Sequence, residues 1–368
     1  MNLRMNKSIC FSDNLATVQT AFRDYMAQYM DDNGVVTGLP YSKNKSFAEK
    51  EKDMNALMMN EVKKLSGISF SANSAISTEM MAQNPQYKWA VFAVVNSLID
   101  MILPDVLNKT IGMYSETRYI GWGDSALFTV EPNDLFYVSK AGRNQRTIEF
   151  QRQWNTQVSV VPENREITVD VNFYRVLCGY DSLAKFVMKA IMSIELQMTN
   201  DVYKAFDTAM ESLPATPASS SLKIAGWSQA SAVKLAQTVT AYNNGAKAVF
   251  VGTQAALQNV LPDNANYRYT LDDTYATLGY VKNAFGYDCI VLPQIAVWDK
   301  PYTLGLRDDR IYVMSPASQS IVKVVYEGNT MTNTMNAQQS ANLTEQTTIM
   351  KSYGIGIATN ATVGVITL

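Results

Sequence analysis

The stretch Asp181–Ser212 constrains this chain more than any other. Leu183, Phe186, Val187, Ala190, Ile191, Ile194, Met198, Val202, Phe206 and Met210 recur at spacings of three and four, which puts them on one stripe of an α-helix. Asp181 or Ser182 can cap its N-terminus, because either side chain accepts from a first-turn N–H. Pro214 forbids continuation. At about 1.5 Å per residue the helix spans roughly 48 Å, far beyond the usual length. The text before it reads as β hairpins and the text after it as a compact α/β unit. Unlike material on the two sides makes this helix a spine and not a repeat. Periodicity alone also allows a buried core helix of a large domain.

Composition removes whole classes of chemistry. The chain has no histidine, so Ser-His-Asp catalysis, Cys-His nucleophiles and His-ligated zinc are excluded together. Carboxylate, Lys and Tyr chemistry survive. Cys10, Cys178 and Cys289 are far apart, and no CxxC occurs. Neither a disulfide framework nor a zinc knuckle is expected, and a reducing compartment is the natural reading. Charged residues are only 17% of the chain, whereas Met (19) and Tyr (20) are plentiful. That balance is the one found in protein–protein contact surfaces, and it is also compatible with ordinary core usage. A net charge of -2 argues against strong polyanion binding. The N-terminal MNLRMNKSICFSDN lacks an apolar signal core. Trp89–Leu103 is the most apolar run, but it is short and holds Asn96 and Asp100. It reads as a buried helix and not a membrane span.

Taken in order, residues 1–110 are helical. Asn14–Met30 and Ala48–Leu65 are amphipathic, and a third helix runs from Pro85 to Pro104. They form either a small bundle or an arm that packs on something else. Residues 115–176 turn to β, with strands expected at Ala126–Val130, Leu135–Ser139, Thr147–Gln151, Gln157–Val161 and Ile167–Val176. Lys140–Arg146 is a polar tip and Glu163–Glu166 another turn. Such an excursion has little apolar content near its tip and cannot bury its own core. Arg143, Arg146, Glu149 and Arg152 give it a mixed-charge surface suited to a neighbour. After the spine come a helix (Ser228–Tyr242), a strand (Ala248–Val251), a short helix capped by Thr253 and a strand (Cys289–Leu292). That is a small α/β unit. The C-terminal part returns to β at Ile311–Met314, Ile321–Tyr326, Thr347–Ile357 and Ala361–Ile366, with Asn329–Asn342 a polar loop. No Walker A loop occurs, and the GxG at Gly354–Gly356 has no helix after it. Asp272-Asp273 and Asp308-Asp309 read as turns or caps, and Tyr267, Tyr269, Tyr275 and Tyr280 as packing residues. No catalytic residue, cofactor or metal ligand is assigned.

Several strings, in this order, resemble major capsid proteins of tailed phages with the Hong Kong 97 fold. Leu103-Pro-Asp-Val-Leu107 is similar to the family's lead-in, and Gly121–Ser125 with Asp134–Ser139 to its first extended-loop strand. Gln151–Val176 is similar to the returning strand, and Lys247–Gly252 to the central strand of the axial domain. Cys289–Pro293 followed by Asp309–Ser315 is similar to the return into the peripheral domain. The resemblance covers about residues 95–368.

It implies an α+β fold of Hong Kong 97 type. Its parts would be an N-terminal helical arm (1–114), an extended β-hairpin loop with peripheral strands (115–176), a spine helix of the peripheral domain (177–221), an axial α/β domain (222–310) and C-terminal peripheral strands (311–368). It implies a homo-oligomer of hexamers and pentamers forming an icosahedral head around double-stranded DNA. Portal and scaffolding proteins are the expected partners, with a decoration protein a further one. No membrane is involved, and the virion is assembled in the host cytoplasm. Lys140, Arg143, Arg146, Glu149 and Arg152 become inter-subunit contacts. Some members crosslink a loop Lys to a neighbour's Asn. Lys140 with Asn329, Asn333 or Asn336 has the right residue types, but no motif fixes the match. Two rivals stand beside this reading. One is an encapsulin-like nanocompartment shell. The other is a soluble α/β enzyme using carboxylate or Tyr chemistry.

Overall fold

The computed structural model describes residues 15–30, 46–67, 84–110, 115–132, 135–138, 140, 150–171, 181–211, 213, 222–263, 275, 278–297, 300–315, 320–335 and 345–368. The chain divides into two compact units. The first comprises Met1–Thr110, Glu163–Leu196 and Glu327–Tyr353, and the second Ile111–Pro162, Gln197–Tyr326 and Gly354–Leu368.

In the first unit, helices α1 (Leu15–Met30), α2 (Phe47–Ser66) and α3 (Pro85–Thr110) pack on one another. The three helices pack together as a small bundle does. Phe22, Tyr25, Met58, Val94, Leu98 and Ile99 are buried there. Helix α2 starts with a capping box: Glu49 N–H donates to Ser46 Oγ, and Ser46 N–H donates to Glu49 Oε2 at 2.9 Å. It ends at Gly67, whose φ of 64° is the left-handed value a C-terminal cap requires. Helix α3 runs through Pro104 to Thr110 and does not stop at Pro104 as the sequence reading expected. A proline removes one N–H from the ladder, a loss that the surrounding turns of a long helix can carry.

The spine, α4 (Leu183–Glu211), contributes Leu183–Leu196 to this unit. Ser182 is its cap, with Oγ accepting from Lys185 N–H at 3.2 Å. Asn55 of α2 completes the cap, because its Oδ1 accepts from Ala184 N–H and its Nδ2 donates to Ser182 Oγ, both at 2.9 Å. Strand β4 (Glu163–Val171) pairs antiparallel with β11 (Glu345–Ile357), from Glu163 opposite Tyr353 to Val171 opposite Glu345. The expected turn at Glu163–Glu166 is therefore strand, held by partners far along the chain. Strand β10 (Val322–Met335) runs to Met335, so the part of the expected polar loop from Asn329 to Met335 is also strand.

The second unit is built on a six-stranded sheet, ordered β5 (Lys223–Ala225), β12 (Gly364–Thr367), β9 (Arg310–Met314), β6 (Val249–Gly252), β8 (Tyr287–Val291) and β7 (Asn283–Ala284). β12 is parallel to β5 and β6 to β8, and the other pairs are antiparallel. Its central strands read as continuous apolar runs because both faces are covered. Phe250, Ile311, Val313 and Ile366 face helices α5 (Gln229–Tyr242) and α6 (Gln254–Leu257) in one cluster. Val249, Val251, Tyr312, Met314 and Val365 face Phe206 and Met210 of the spine in the other. Asn244 (φ 56°) and Gly245 (φ 84°) make the left-handed turn after α5.

Helical spacing puts Asn200 on the spine's polar face with Lys189, Glu195 and Lys204. It is instead buried. The segment after β8 lies on that side: Tyr203 Oη donates to the Pro293 carbonyl, and Gly305 approaches Asn200 Oδ1. Lys189 and Lys204 are exposed as expected.

Candidate functional site

The candidate loop, residues 131–155, begins and ends on a two-stranded root in the second unit. β2 (Ala126–Val130) and β3 (Thr156–Val160) pair antiparallel, from Ala126 opposite Val160 to Val130 opposite Thr156. One face of the root is buried, with Ala126, Phe128 and Val160 packed on Val325 of β10. The alternation is complete in β2, where Leu127 and Thr129 are exposed between buried neighbours.

Beyond the root the described chain leaves the sheet. Residues 135–138 and 150–151 form no strand, contrary to the sequence reading. One side-chain amide joins them: Tyr137 N–H donates to Gln151 Oε1, and Gln151 Nε2 donates to the Tyr137 carbonyl, both at 2.6 Å. The amide imitates a strand partner for a single residue.

The exposure here is the unusual quantity. Leu135 is 80%, Val138 90%, Phe150 94% and Trp154 74% exposed, with Phe136 and Tyr137 well exposed beside them. Scattered single exposures mean little, but a contiguous apolar ribbon marks an interaction surface. Of the contact residues expected from sequence, Lys140 and Arg152 are exposed on this loop. Arg143, Arg146 and Glu149 lie outside the described residues. In the sequence the charged tip stands out more than its apolar flanks. The signal was present in the runs Leu135-Phe-Tyr-Val138 and Phe150-Gln-Arg-Gln-Trp154.

The root is held by charge and by shape. Glu116 of β1 (Ser115–Ile120) accepts from Lys323 Nζ at 2.7 Å through Oε2, and from Arg118 Nη2 at 2.9 Å through Oε1. Both cations lie over the Phe128 ring, Arg118 at 4.5 Å and Lys323 at 5.7 Å from its centroid. Arg118 Nη1 also donates to the Leu127 carbonyl. Burial raises the Glu116 carboxyl, but the hydrogen bonds from Lys323 and Arg118 outweigh it and hold it below its ordinary value.

A second ionic group fixes the spine to the sheet. Arg310 of β9 donates to Asp207 and Glu211 of the spine, and Arg307 to Asp309. The hydrogen bond from Arg310 holds the Glu211 carboxyl below its usual range.

None of this converges as catalytic groups would. Among the described residues no cluster of His, Cys, Asp and Glu could hold a metal ion. Burial pushes the Tyr203 phenol up to about 12 and raises Tyr312 as well, so neither phenol supplies a base near neutral pH. Of the paired carboxylates, Asp308 accepts from Gln294 and Asp309 from Arg307, while Asp272 and Asp273 lie outside the described residues. A hollow of about 340 Å³ is lined by Gln229, Val233, Lys234 and Asp263, and the Asp263 carboxylate there accepts from Gln229 N–H at the start of α5. Among the described helices, none is long and apolar enough to cross a membrane.

Together these make an α+β protein with a long helix, a sheet covered on both faces and an exposed apolar ribbon. The sequence places it further: residues 36–367 match the family described as "SPbeta prophage-derived putative capsid protein YonB". The chain belongs to that family and is a phage capsid protein of α+β fold. No curated protein matches the sequence. Among solved structures, it is similar to a chain of the bacteriophage PhiM1 mature capsid, at 10% identity over 69% of this chain and 85% of that one, with a TM-score of 0.44. A chain of the cyanophage P-SCSP1u capsid is 14% identical over 69% and 86%, with a TM-score of 0.43. A chain of the native GTA particle capsid is 10% identical over 70% and 89%, with a TM-score of 0.45.

Proposed function

We propose that this chain is the major shell subunit of a phage head, closing into hexamers and pentamers that enclose double-stranded DNA. The observation that carries this reading is the uncovered apolar ribbon Leu135–Val138 with Phe150 and Trp154. Burying such side chains contributes about 1.5–3 kcal/mol each, and a second copy of the same chain is the partner always at hand. The loop lies across a neighbouring copy, with Lys140, Arg143, Arg146, Glu149 and Arg152 at its polar rim. The α/β part, residues 222–310, forms the ring axis, and the spine with residues 311–368 forms the periphery. Ring-closing contacts between different patches generate closed shells, which self-complementary dimers do not. A net charge of -2 suits a wall that encloses DNA without gripping it. Portal and scaffolding proteins complete the assembly in the host cytoplasm.

The test is direct. The full chain, expressed with the genes that flank its own, is examined by light scattering and electron microscopy. Closed particles are expected. A stable species below about ten copies under every assembly condition would sink the proposal, since the reading requires ring and shell closure.

A further inference from the structure

Residues 135–138, 140 and 150–155 of the loop are exposed, and its base is anchored. On β2, the Phe128 ring is fully buried beneath the Arg118 and Lys323 cations. Lys323 is itself only 4% exposed and ends on Glu116. On β3, Val160 sits against β11 where that strand carries glycine twice. A Cβ at Gly354 would come within 2.8 Å of the Val161 carbonyl oxygen, and one at Gly356 within 2.7 Å of Val160 Cγ2. Just past β2, Asn360 Nδ2 donates to the Glu131 carbonyl at 2.9 Å. Both strands of the root are therefore held, by independent means, and neither can tilt without losing contacts.

We infer that Glu116, Arg118 and Lys323, with the glycine gap at Gly354, are positioning residues that set the angle at which the loop leaves the subunit, and so the curvature and size of the shell. This rests on the shell reading above. The physical reason is leverage. The residues from Val130 to Lys140 can reach up to about 33 Å, so a small tilt at the root moves the far contacts by several ångströms. Contacts between copies then meet at a different angle while their chemistry is unchanged.

The experiment compares full-length Arg118→Met, Gly354→Ala and Trp154→Ala with the unaltered chain, all expressed with the flanking genes. Arg118→Met keeps a long side chain over Phe128 but removes the bonds to Glu116 and Leu127. Gly354→Ala pushes on β3 from the other side. Trp154→Ala removes an exposed ribbon side chain and leaves the buried contacts of the root in place. Thermal melts and particle diameters by electron microscopy are read for each. Both root variants should give particles of shifted or broadened diameter or open sheets, with a near-normal melt for Arg118→Met and a lowered but still cooperative melt for Gly354→Ala, whose Cβ must displace the Val161 backbone. Trp154→Ala should give fewer particles of normal diameter. Root variants whose particles keep the normal diameter, whatever their melts, overturn the inference. So does loss of fold in both root variants, which would make the root ordinary core; if only one fails, the other decides. An unaltered chain that forms no closed particle overturns the shell reading as well, and that arm separates the two failures.

Discussion

Lys351 Nζ lies 2.6 Å from Asp100 Oδ1, joining strand β11 to helix α3 across 251 residues of sequence. The same carboxylate accepts from Thr330 N–H at 2.9 Å and from Thr330 Oγ1 at 2.6 Å. One turn earlier on α3, Asn96 accepts from Thr332 Oγ1. The helix bundle is thus tied to β10 and β11 by polar groups on one face of α3.

Replacing Asp100 by Ala leaves an almost buried Lys351 ammonium with, among the described residues, the Gly328 carbonyl at 3.3 Å as its remaining partner. Asp100 keeps some solvent exposure, so the loss should be about 2–4 kcal/mol, around the lower end of that for a fully buried pair. Asp100→Ala combined with Lys351→Met should be milder than Asp100→Ala alone, because no charge is stranded. Urea unfolding of the two variants decides the point. Equal losses would mean that the pair is not coupled.

The spine and the loop should fail differently. Ile194 is buried, and Ile194→Asp places an unpaired carboxylate in the apolar core at a cost of several kcal/mol. That variant should not yield folded subunit. Arg146→Glu should melt like the unaltered chain and assemble poorly. Identical melting curves for the two would refute this division of labour.

Acid should destabilise the folded chain. Hydrogen bonds from Arg310 hold Glu211 low, and those from Arg307 hold Asp309 low. In Glu116, the bonds from Lys323 and Arg118 win against burial to the same effect. Groups with depressed folded values stabilise fully above their unfolded values of about 4, and that stability is lost as pH falls through the lower folded values. Glu195, whose carboxyl burial raises, acts in the opposite sense. Asp288, held low by the hydrogen bond from Lys247, is a fourth depressed group; with four against one, the urea midpoint should be nearly flat from about pH 7 to 5 and fall below about pH 4. A midpoint that rises on acidification would contradict the assignment.

Cys289 is buried, and burial pushes its thiol up to about 12. The thiolate is the reactive form. Iodoacetamide at about pH 8 should therefore leave Cys289 unmodified in the folded chain and label it in guanidinium. Peptide mass spectrometry reads the site directly, and rapid labelling of folded protein would show that this strand opens.

Local pattern settled the spine, β2, β6 and β9 almost to the residue, because a stripe or an unbroken apolar run depends only on near neighbours. It also settled the absence of histidine chemistry. Three outcomes depended on distant partners. Glu163–Glu166 and Asn329–Met335 read as turn and loop, and they are strands because other strands pair with them. Asn96 and Asp100 served in the sequence only as evidence against a membrane span, and their role as ties to Thr332, Thr330 and Lys351 required the fold. The apolar ribbon on the loop was legible as letters, but not as surface. Whether Phe150 or Trp154 faces a core or solvent is decided by what packs above it, and both are left exposed here.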